Sequence, residues 1–558
     1  MNEVTPVSLK DAPALIQAVF PAQKVSFEAQ SERKAVAAQT LTGLGSYWKG
    51  RKPLILVRAI VLGSLLPQTG DSEKDLEIFE KLMAFDDHGL ARRAFVQNDL
   101  KPKHIASRIS LSNPWDYFTF TGRDELPADD RLLNLECPFD ADEESISLRW
   151  DRDTSDEAKL QLIERALATF STYEEKASFC KRPEEVDQAW LYAPVWPAVN
   201  DHYVQWGIKA RSLPELVEQM GILRFGHRPR VGDTFSGGGS IPFEAARMGC
   251  DAYAADLNPI ACMLTWGAMN IIGAPKKRRT MFEDAQKAVT EKVDKELIKL
   301  GVEHDEKGNR GKAYLYCLET RCPETGWMVP MLPSRVISPK LGAIARLKPD
   351  HANKRFEIEV VSDVSAKELK GAEKGTIDDG SLVYELDGRT YRTPVKTLRG
   401  DYRGPDGATL NRLRRWEKLD FVPRQGDIFH ERLYAIQWIT KNSIYKPRQI
   451  TYFRGVTHAD LEREGKVEEI VTENLEAWQA EGLTPDMLIE PGAKTDEPIR
   501  TRGWTHWHHL FNPRQLLLQA LALKAWRESP GAPLGWLNVA KMADFNSRLC
   551  RWATSQGG

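Results

Sequence analysis

The stretch Asp233-Thr234-Phe235-Ser236-Gly237-Gly238-Gly239-Ser240 runs straight into a helical segment, Ile241 to Gly249, with Pro242 in its first turn. It reads as a strand-to-helix turn stripped of side chains. Glycines at such a turn let the backbone approach a ligand closely, and the unsatisfied N–H groups of the helix start face any polar group above them. A nucleotide-like cofactor is the natural occupant. The next short apolar segment, Asp251 to Ala255, ends in Asp256, 23 residues after Asp233. An acid about that far along, at the end of a second strand, is where α/β cofactor sites read a pair of ribose hydroxyls. No glycine stands three positions beyond Gly237, Gly238 and Gly239 in the pattern G-x-G-x-x-G. A nicotinamide or flavin oxidoreductase is therefore disfavoured.

Such a turn needs a parallel α/β frame, and residues 212 to 270 supply the order helix, glycine-rich turn, helix and short strand. Residues 280 to 300 then predict one amphipathic helix, with Phe282, Ala285, Val289, Val293, Leu297 and Leu300 on its core face. Between about 355 and 400 the period switches to two, and Leu382 to Leu386 meets Arg389 to Arg392 across an Asp387-Gly388 hairpin turn. Helices return at 514–526 and 537–552. Upstream, the segment from 30 to 70 reads as helical, the turn Tyr47 to Pro53 leading into the apolar run Leu54 to Val61. That run is a buried helix, and Lys49, Arg51, Lys52 and Arg58 beside two aromatics offer phosphate contacts as the competing reading. Residues 120 to 160 are acidic and read as loop or solvated surface.

A chain of 558 residues with 42% hydrophobic and 28% charged residues buries a sizeable core, which excludes collagen-like, coiled-coil and wholly disordered classes. The formal net charge of -2 means that any nucleic-acid contact comes from a local patch rather than a bulk positive field. Seven scattered cysteines, an odd count, imply reduced thiols in a cytoplasmic protein. The longest apolar run, Leu54 to Leu66, is broken by Arg58 and too short for a bilayer, so no membrane partner is expected.

The residues Asp233, Phe235, Gly237 and Gly239 resemble the Asp-x-Phe-x-Gly-x-Gly cofactor motif of S-adenosylmethionine-dependent DNA methyltransferases of the amino group. Ser212 to Val217 is similar to the segment that precedes the first strand in that class and helps hold the methionine end. More closely, four strings resemble the large adenine-specific DNA methylases of prokaryotic phage-defence islands, which carry an uncharacterised N-terminal domain and often a zinc-ribbon insert. The strings are Trp48 to Leu54, Gly239 to Ala245, Asp256 to Pro259, and Leu510 to Leu517. The resemblance implies an α/β fold, a Rossmann-like methyltransferase domain with a helical N-terminal region and a β-rich insert. It implies S-adenosyl-L-methionine as cofactor, held by Asp233, Phe235, Ser236, Gly237, Gly239 and Ser240 at the methionine end. Asp256 would take the ribose, and Leu257, Asn258 and Pro259 the adenine side. The implied division is a helical N-terminal domain (1–120), an acidic connector (121–205), the cofactor core (206–300), a β-rich insert for target recognition (301–455) and a C-terminal helical segment (456–558). DNA is the implied partner, with a defence-system ATPase or helicase as a further candidate.

Amino-group methyltransferases use an Asp/Asn/Ser-Pro-Pro-aromatic tetrapeptide on a flipped base, and this sequence contains no Pro-Pro dipeptide. Asn113-Pro114-Trp115-Asp116 is the nearest string and precedes the cofactor turn, so the catalytic residues are unassigned and a second chain is a candidate to supply that segment. Cys317 and Cys322 stand five apart with no second pair nearby, and Trp504 to His509 lacks partnered acids, so no metal ligands are assigned. Lys276-Lys277-Arg278-Arg279 reads equally as a phosphate contact or a solvated helix start. Two function classes remain: an adenine or cytosine amino-methyltransferase, or its cofactor-binding portion, in phage defence, and a noncatalytic scaffold that keeps the fold to bind DNA or defence partners.

Overall fold

A computed structural model describes residues 4–35, 41–44, 50–120, 148–405 and 407–553. The chain has a mixed α/β fold that divides into two compact units, Met1–Arg279 and Thr280–Gly558. No described helix is long and apolar enough to cross a membrane.

The first unit is mainly helical. It contains α1 (Ala22–Lys34), α2 (Leu54–Leu65), α3 (Ser72–Met83), α4 (Asp87–Gln97) and α5 (Leu213–Phe225). The main core joins Leu62 of α2 and Phe79 and Leu82 of α3 to Leu216, Met220 and Leu223 of α5. The apolar run is helical as its composition requires, and Glu32 of α1 occupies its start. The Leu54 N–H donates to Glu32 Oε1 at 3.0 Å and the Ile55 N–H to Oε2 at 3.4 Å. Burial, with the charge of Glu184 nearby, pushes the Glu32 carboxyl up to about 7.

Of the basic cluster, Arg58 is not available for phosphate. Its guanidinium is buried and donates to Glu244 Oε1 at 2.8 Å, Tyr192 Oη at 2.7 Å and Gln188 Oε1 at 2.8 Å, so it is spent inside the fold. Tyr47, Trp48 and Lys49 lie outside the described residues, as does most of the acidic stretch, 121–147.

Two strands, β1 (Arg230–Asp233) and β2 (Asp251–Ala254), pair in parallel, with α6 (Ser240–Arg247) as their crossover. This is a single βαβ unit, since parallel neighbours need a crossover and a helix supplies it. After it come α7 (Pro259–Gly267) and α8 (Lys276–Leu300). Phe282, Ala285, Val289 and Leu297 of α8 are buried at the predicted spacing.

The second unit is built on seven strands: β3 (Arg310–Arg321), β4 (Met328–Met331), β5 (Val336–Ser338), β6 (Ala343–Asp350), β7 (Arg355–Val361), and, after the hairpin β8 (Ser381–Leu386) and β9 (Arg389–Pro394), β10 (Phe429–Ile439) and β11 (Thr451–Gly455). The sheet order is β11-β10-β3-β4-β7-β6-β5, antiparallel except for β4 and β7. The hairpin closes on Asp387 and Gly388 with φ of 50° and 76°, the double left-handed turn that an Asp-Gly pair favours. Helices α9 (His458–Ala480), α10 (Pro513–Arg527) and α11 (Ala532–Phe545) complete the unit. The last helix starts and ends earlier than the spacing at 537–552 suggests. Beyond it Arg548 leaves the helix to pair with Glu431, and Trp552 donates to Ile337 O at 2.8 Å.

The motif Leu510 to Leu517 is a helix start. Asn512 and Gln515 form a capping box around Pro513 at the first helical position, and Leu516 and Leu517 are buried. Arg514 donates to Glu464 at 2.6 Å and lies over the Tyr314 ring at 4.0 Å. Just before it, the buried His509 accepts N–H bonds from Thr505 and His506 at Nδ1 and faces Glu417 O with Nε2 at 3.0 Å. Burial, with His508 and His506 nearby, holds His509 at about 3, and burial with His506 nearby holds His508 at about 4. Both bind fewer protons folded than unfolded, so their stabilisation is complete above the unfolded value near 6.5 and is lost as pH falls toward the folded values. Each unit of depression is worth about 1.4 kcal/mol. The urea midpoint of this unit is therefore expected to drop between pH 7 and pH 4.5, and His509→Gln to flatten that slope.

Candidate cofactor site

The candidate site lies at the carboxyl ends of β1 and β2, where open α/β sheets bind ligands. The turn folds on its own polar groups. The Phe235 N–H donates to Asp233 Oδ1 at 3.1 Å, the Ser236 N–H to Ala255 O at 3.0 Å, and the Gly239 N–H to Ser236 O at 2.7 Å. Gly237 and Gly239 adopt φ of 51° and 76°, a region in which side chains are strained. Gly239 has a second reason to be glycine: a Cβ there would stand 2.8 Å from the Thr265 Cα in α7. Thr265 also donates to the buried Ser236 Oγ at 3.1 Å, so α7 backs the turn.

Asp256 bridges the two halves. Its Oδ2 accepts the Gly237 N–H and its Oδ1 the Asn258 N–H, each at 2.9 Å. These backbone donors, the Asn258 amide first, hold its carboxyl below the usual carboxylate range. Asn258 in turn caps α7, accepting the Ile260 N–H at 2.9 Å, with Pro259 at the first helical position. Asp256-Leu257-Asn258-Pro259 is thus a carboxylate clamp followed by a helix cap. Phe235 and Leu257 are 79% and 94% exposed, one on the glycine-rich turn and one on the loop after β2. The fold buries neither side chain, so a planar apolar ligand is the chemistry they suit.

The turn therefore brings together Asp233, Gly237, Asp256 and Asn258, while Ser236 and Ser240 are buried. Pro214 is elsewhere: it lies against Gly249, at the far end of α6 from the turn. Ser212 caps α5 there, accepting the Glu215 N–H at 3.3 Å. Asn113 belongs to a surface turn and donates to Asp116 Oδ1 at 2.6 Å. Among the described residues, no group of three or more His, Cys, Asp or Glu is placed to hold a metal. Cys317 is buried in β3 with its thiol pushed up to about 12 by desolvation, and Cys322 is fully buried beside Thr393.

Two residues that sequence reasoning missed hold the site in place. Thr265 carries no motif signal, and Glu244 lies within a matched string without advertising its partner. Glu244 is fully buried on α6 and pairs with Arg58 of α2 at 2.7 Å, while Phe243 packs with Leu54. The strings that end at Leu54 and at Ala245, far apart in sequence, thus meet where α2 packs on α6. The signal for this was a charged residue inside an apolar helix, since a buried arginine demands an acid.

The first unit thus contains a βαβ unit with a glycine-rich turn at its strand ends. A family described as a protein of unknown function (DUF1156) matches residues 19–82, the stretch that contains α1 and α2 and nearly all of α3. No curated protein and no solved structure matches the chain.

Proposed function

We propose that the turn from Asp233 to Asn258 binds S-adenosyl-L-methionine and that the chain is a DNA amino-methyltransferase, or its cofactor-binding portion, with adenine N6 as target. The observation that carries this reading is the Asp256 carboxylate, fixed beside a glycine-lined turn at the end of the second parallel strand. The residues fit the group. Gly237 and Gly239 hold the turn at positive φ, Asp256 offers anionic acceptors to ribose hydroxyls, and Leu257 and Phe235 offer apolar surface to the adenine side. When bound, the cofactor supplies an electrophilic methyl group on a sulfonium. The chain's own residues orient it.

DNA contact is assigned to Lys276 to Arg279, all four exposed in the first turn of α8. Cations there oppose the helix dipole, and a phosphate backbone would offset that cost. Replacing the four with alanine is expected to flatten the salt dependence of DNA binding by about 0.9 for each phosphate no longer neutralised. An unchanged slope would remove this assignment.

Adenine specificity and a role in phage defence rest on the resemblance of the four motif strings. The absent Pro-Pro segment favours a second reading, a noncatalytic scaffold that retains the fold to bind DNA or defence partners. The test is transfer of tritiated methyl groups from S-adenosylmethionine to unmethylated DNA by the chain purified from its own cells, with its associated proteins. Label on N6 of adenine supports the enzyme. Retained DNA binding without any transfer supports the scaffold.

A further inference from the structure

The hairpin that joins β10 to β11 carries charge that the fold does not use. Between Glu431 and Asp460 the sequence holds no Asp or Glu, in a chain whose 79 acidic residues slightly outnumber its 77 Lys and Arg. With no bulk positive field, a polyanion would need such a local patch. Arg432 and Arg454, on the strands, are paired with Glu319 and Asp460. Lys441, Lys446 and Arg448, on the hairpin, are exposed, and among the described residues none of the three makes an ion pair. The acids of the adjoining elements are already engaged. Asp294 of α8 and Glu303 pair with Arg310 at 2.5 Å and 3.0 Å, and Asp305 accepts the Asn309 amide at 3.0 Å. Glu306 and Lys307, both exposed in the adjoining turn, cancel.

The backbone holds these cations in place. The Thr440 N–H donates to Ile450 O at 3.0 Å, and the buried Ser443 Oγ accepts the Ile450 N–H at 3.0 Å, which closes the neck of the hairpin. Asn309 Oδ1 accepts the Lys441 N–H at 3.0 Å and ties that neck to the turn before β3. Beyond it Tyr445 is 80% exposed, and Pro447 fixes the backbone between Lys446 and Arg448. The Tyr445 hydroxyl donates to Asp294 Oδ2 at 3.5 Å, so one end of the ring is tethered while the rest stays in solvent. A fixed hairpin loses little conformational entropy when a ligand settles on it.

We propose that the tip, residues 444–450, binds an unpaired nucleic-acid strand, with a base stacked on Tyr445 and the neighbouring phosphates against Lys446 and Arg448. An exposed aromatic ring interleaved with unpaired cations is the combination that single strands require, since every base has a face to stack and every linkage a charge. An acidic peptide would use the cations and leave the ring in water, and a duplex hides its base faces. This deepens the reading of residues 301–455 as the target-recognition region, and the binding calls for neither cofactor nor methyl transfer.

Fluorescence anisotropy of the full chain with a short labelled strand of DNA, and with RNA of the same sequence, tests this across a salt series. Tyr445→Ala is expected to weaken binding about tenfold or more, and Tyr445→Phe to bind like the parent. Lys446→Ala with Arg448→Ala should lower the slope of log affinity against log salt by about 1.4, two phosphates at about 0.7 each. The tighter of the two strands identifies the source. Inorganic polyphosphate, which has charge but no bases, should lose affinity in the double variant and keep it in Tyr445→Ala. The substituted side chains are exposed, so urea midpoints equal to the parent's are expected and separate lost binding from lost fold. Absence of strand binding by the folded chain, or equal strand affinity in Tyr445→Ala, overturns the proposal. It is also overturned if duplex DNA or polyglutamate depends on Tyr445 as strongly as the single strand does.

Discussion

Gly239→Val is expected to remove S-adenosylmethionine binding and to destabilise the first unit by about 3 kcal/mol or more. Two independent costs add. At φ 76° a β-branched residue is strained by about 1–2 kcal/mol. Its Cβ also stands 2.8 Å from the Thr265 Cα, a backbone atom of α7 that cannot swing aside as a flexible side chain would. Relief requires α7 to withdraw, which breaks the Thr265 to Ser236 bond and releases the floor of the turn. Gly232→Ala is the control. Nothing lies within 4 Å of its Cβ, so urea denaturation should show a change below about 0.5 kcal/mol. If valine at 239 left both the midpoint and cofactor binding intact, the packing of the turn on α7 would be wrong.

Arg58→Ala is the second large effect, at about 3–5 kcal/mol. It strands the Glu244 carboxylate, which is fully buried and whose remaining cation, Arg247, lies 3.4 Å away. It also removes the donors to Tyr192 and Gln188. The double variant Arg58→Met with Glu244→Leu should recover most of the loss, because an apolar pair of similar volume carries no desolvation penalty. Unfolding of each variant monitored by circular dichroism in urea separates the two outcomes. Equal destabilisation in the single and double variants would mean that the pair acts through packing rather than charge. The effect should reach the cofactor turn, since Glu244 sits on the helix that leaves it.

The parts of this molecule that sequence revealed are the ones set by local backbone chemistry. The glycines at 237 and 239 announce positive φ, Asp387-Gly388 announces a tight hairpin, and the spacing from Phe282 to Leu297 announces a buried helical face. What stayed hidden depends on partners distant in sequence. The pairing of β3 with β10 joins residues 310–321 to 429–439 and leaves no period or turn signal of its own. Arg58 reads as part of a basic patch until its acid, 186 residues away, is known. Pro214 matches a motif by type yet packs at the wrong end of α6 for the role that the match implied. The helix after 530 ends at Phe545 because Arg548 is drawn to Glu431 and the carbonyls of His509 and Phe511, a tertiary demand that outweighs helical spacing.

The glycine-rich turn was legible for the same local reason. Asp233, the glycines and Asp256 are fixed by the turn itself, so their spacing carries the geometry. Catalysis is not legible, because the residues that would contact a flipped base are not in this sequence as a Pro-Pro tetrapeptide.

Calorimetric titration of the purified chain with S-adenosylmethionine, beside the Asp256→Ala variant, addresses the central claim most directly. Micromolar binding by the chain is expected, with affinity at least about tenfold weaker in the variant, the loss of one or two charge-assisted hydrogen bonds. Saturable binding that is the same in both proteins would contradict the assignment of Asp256 to the ribose, and no binding by the folded chain would contradict the cofactor site altogether.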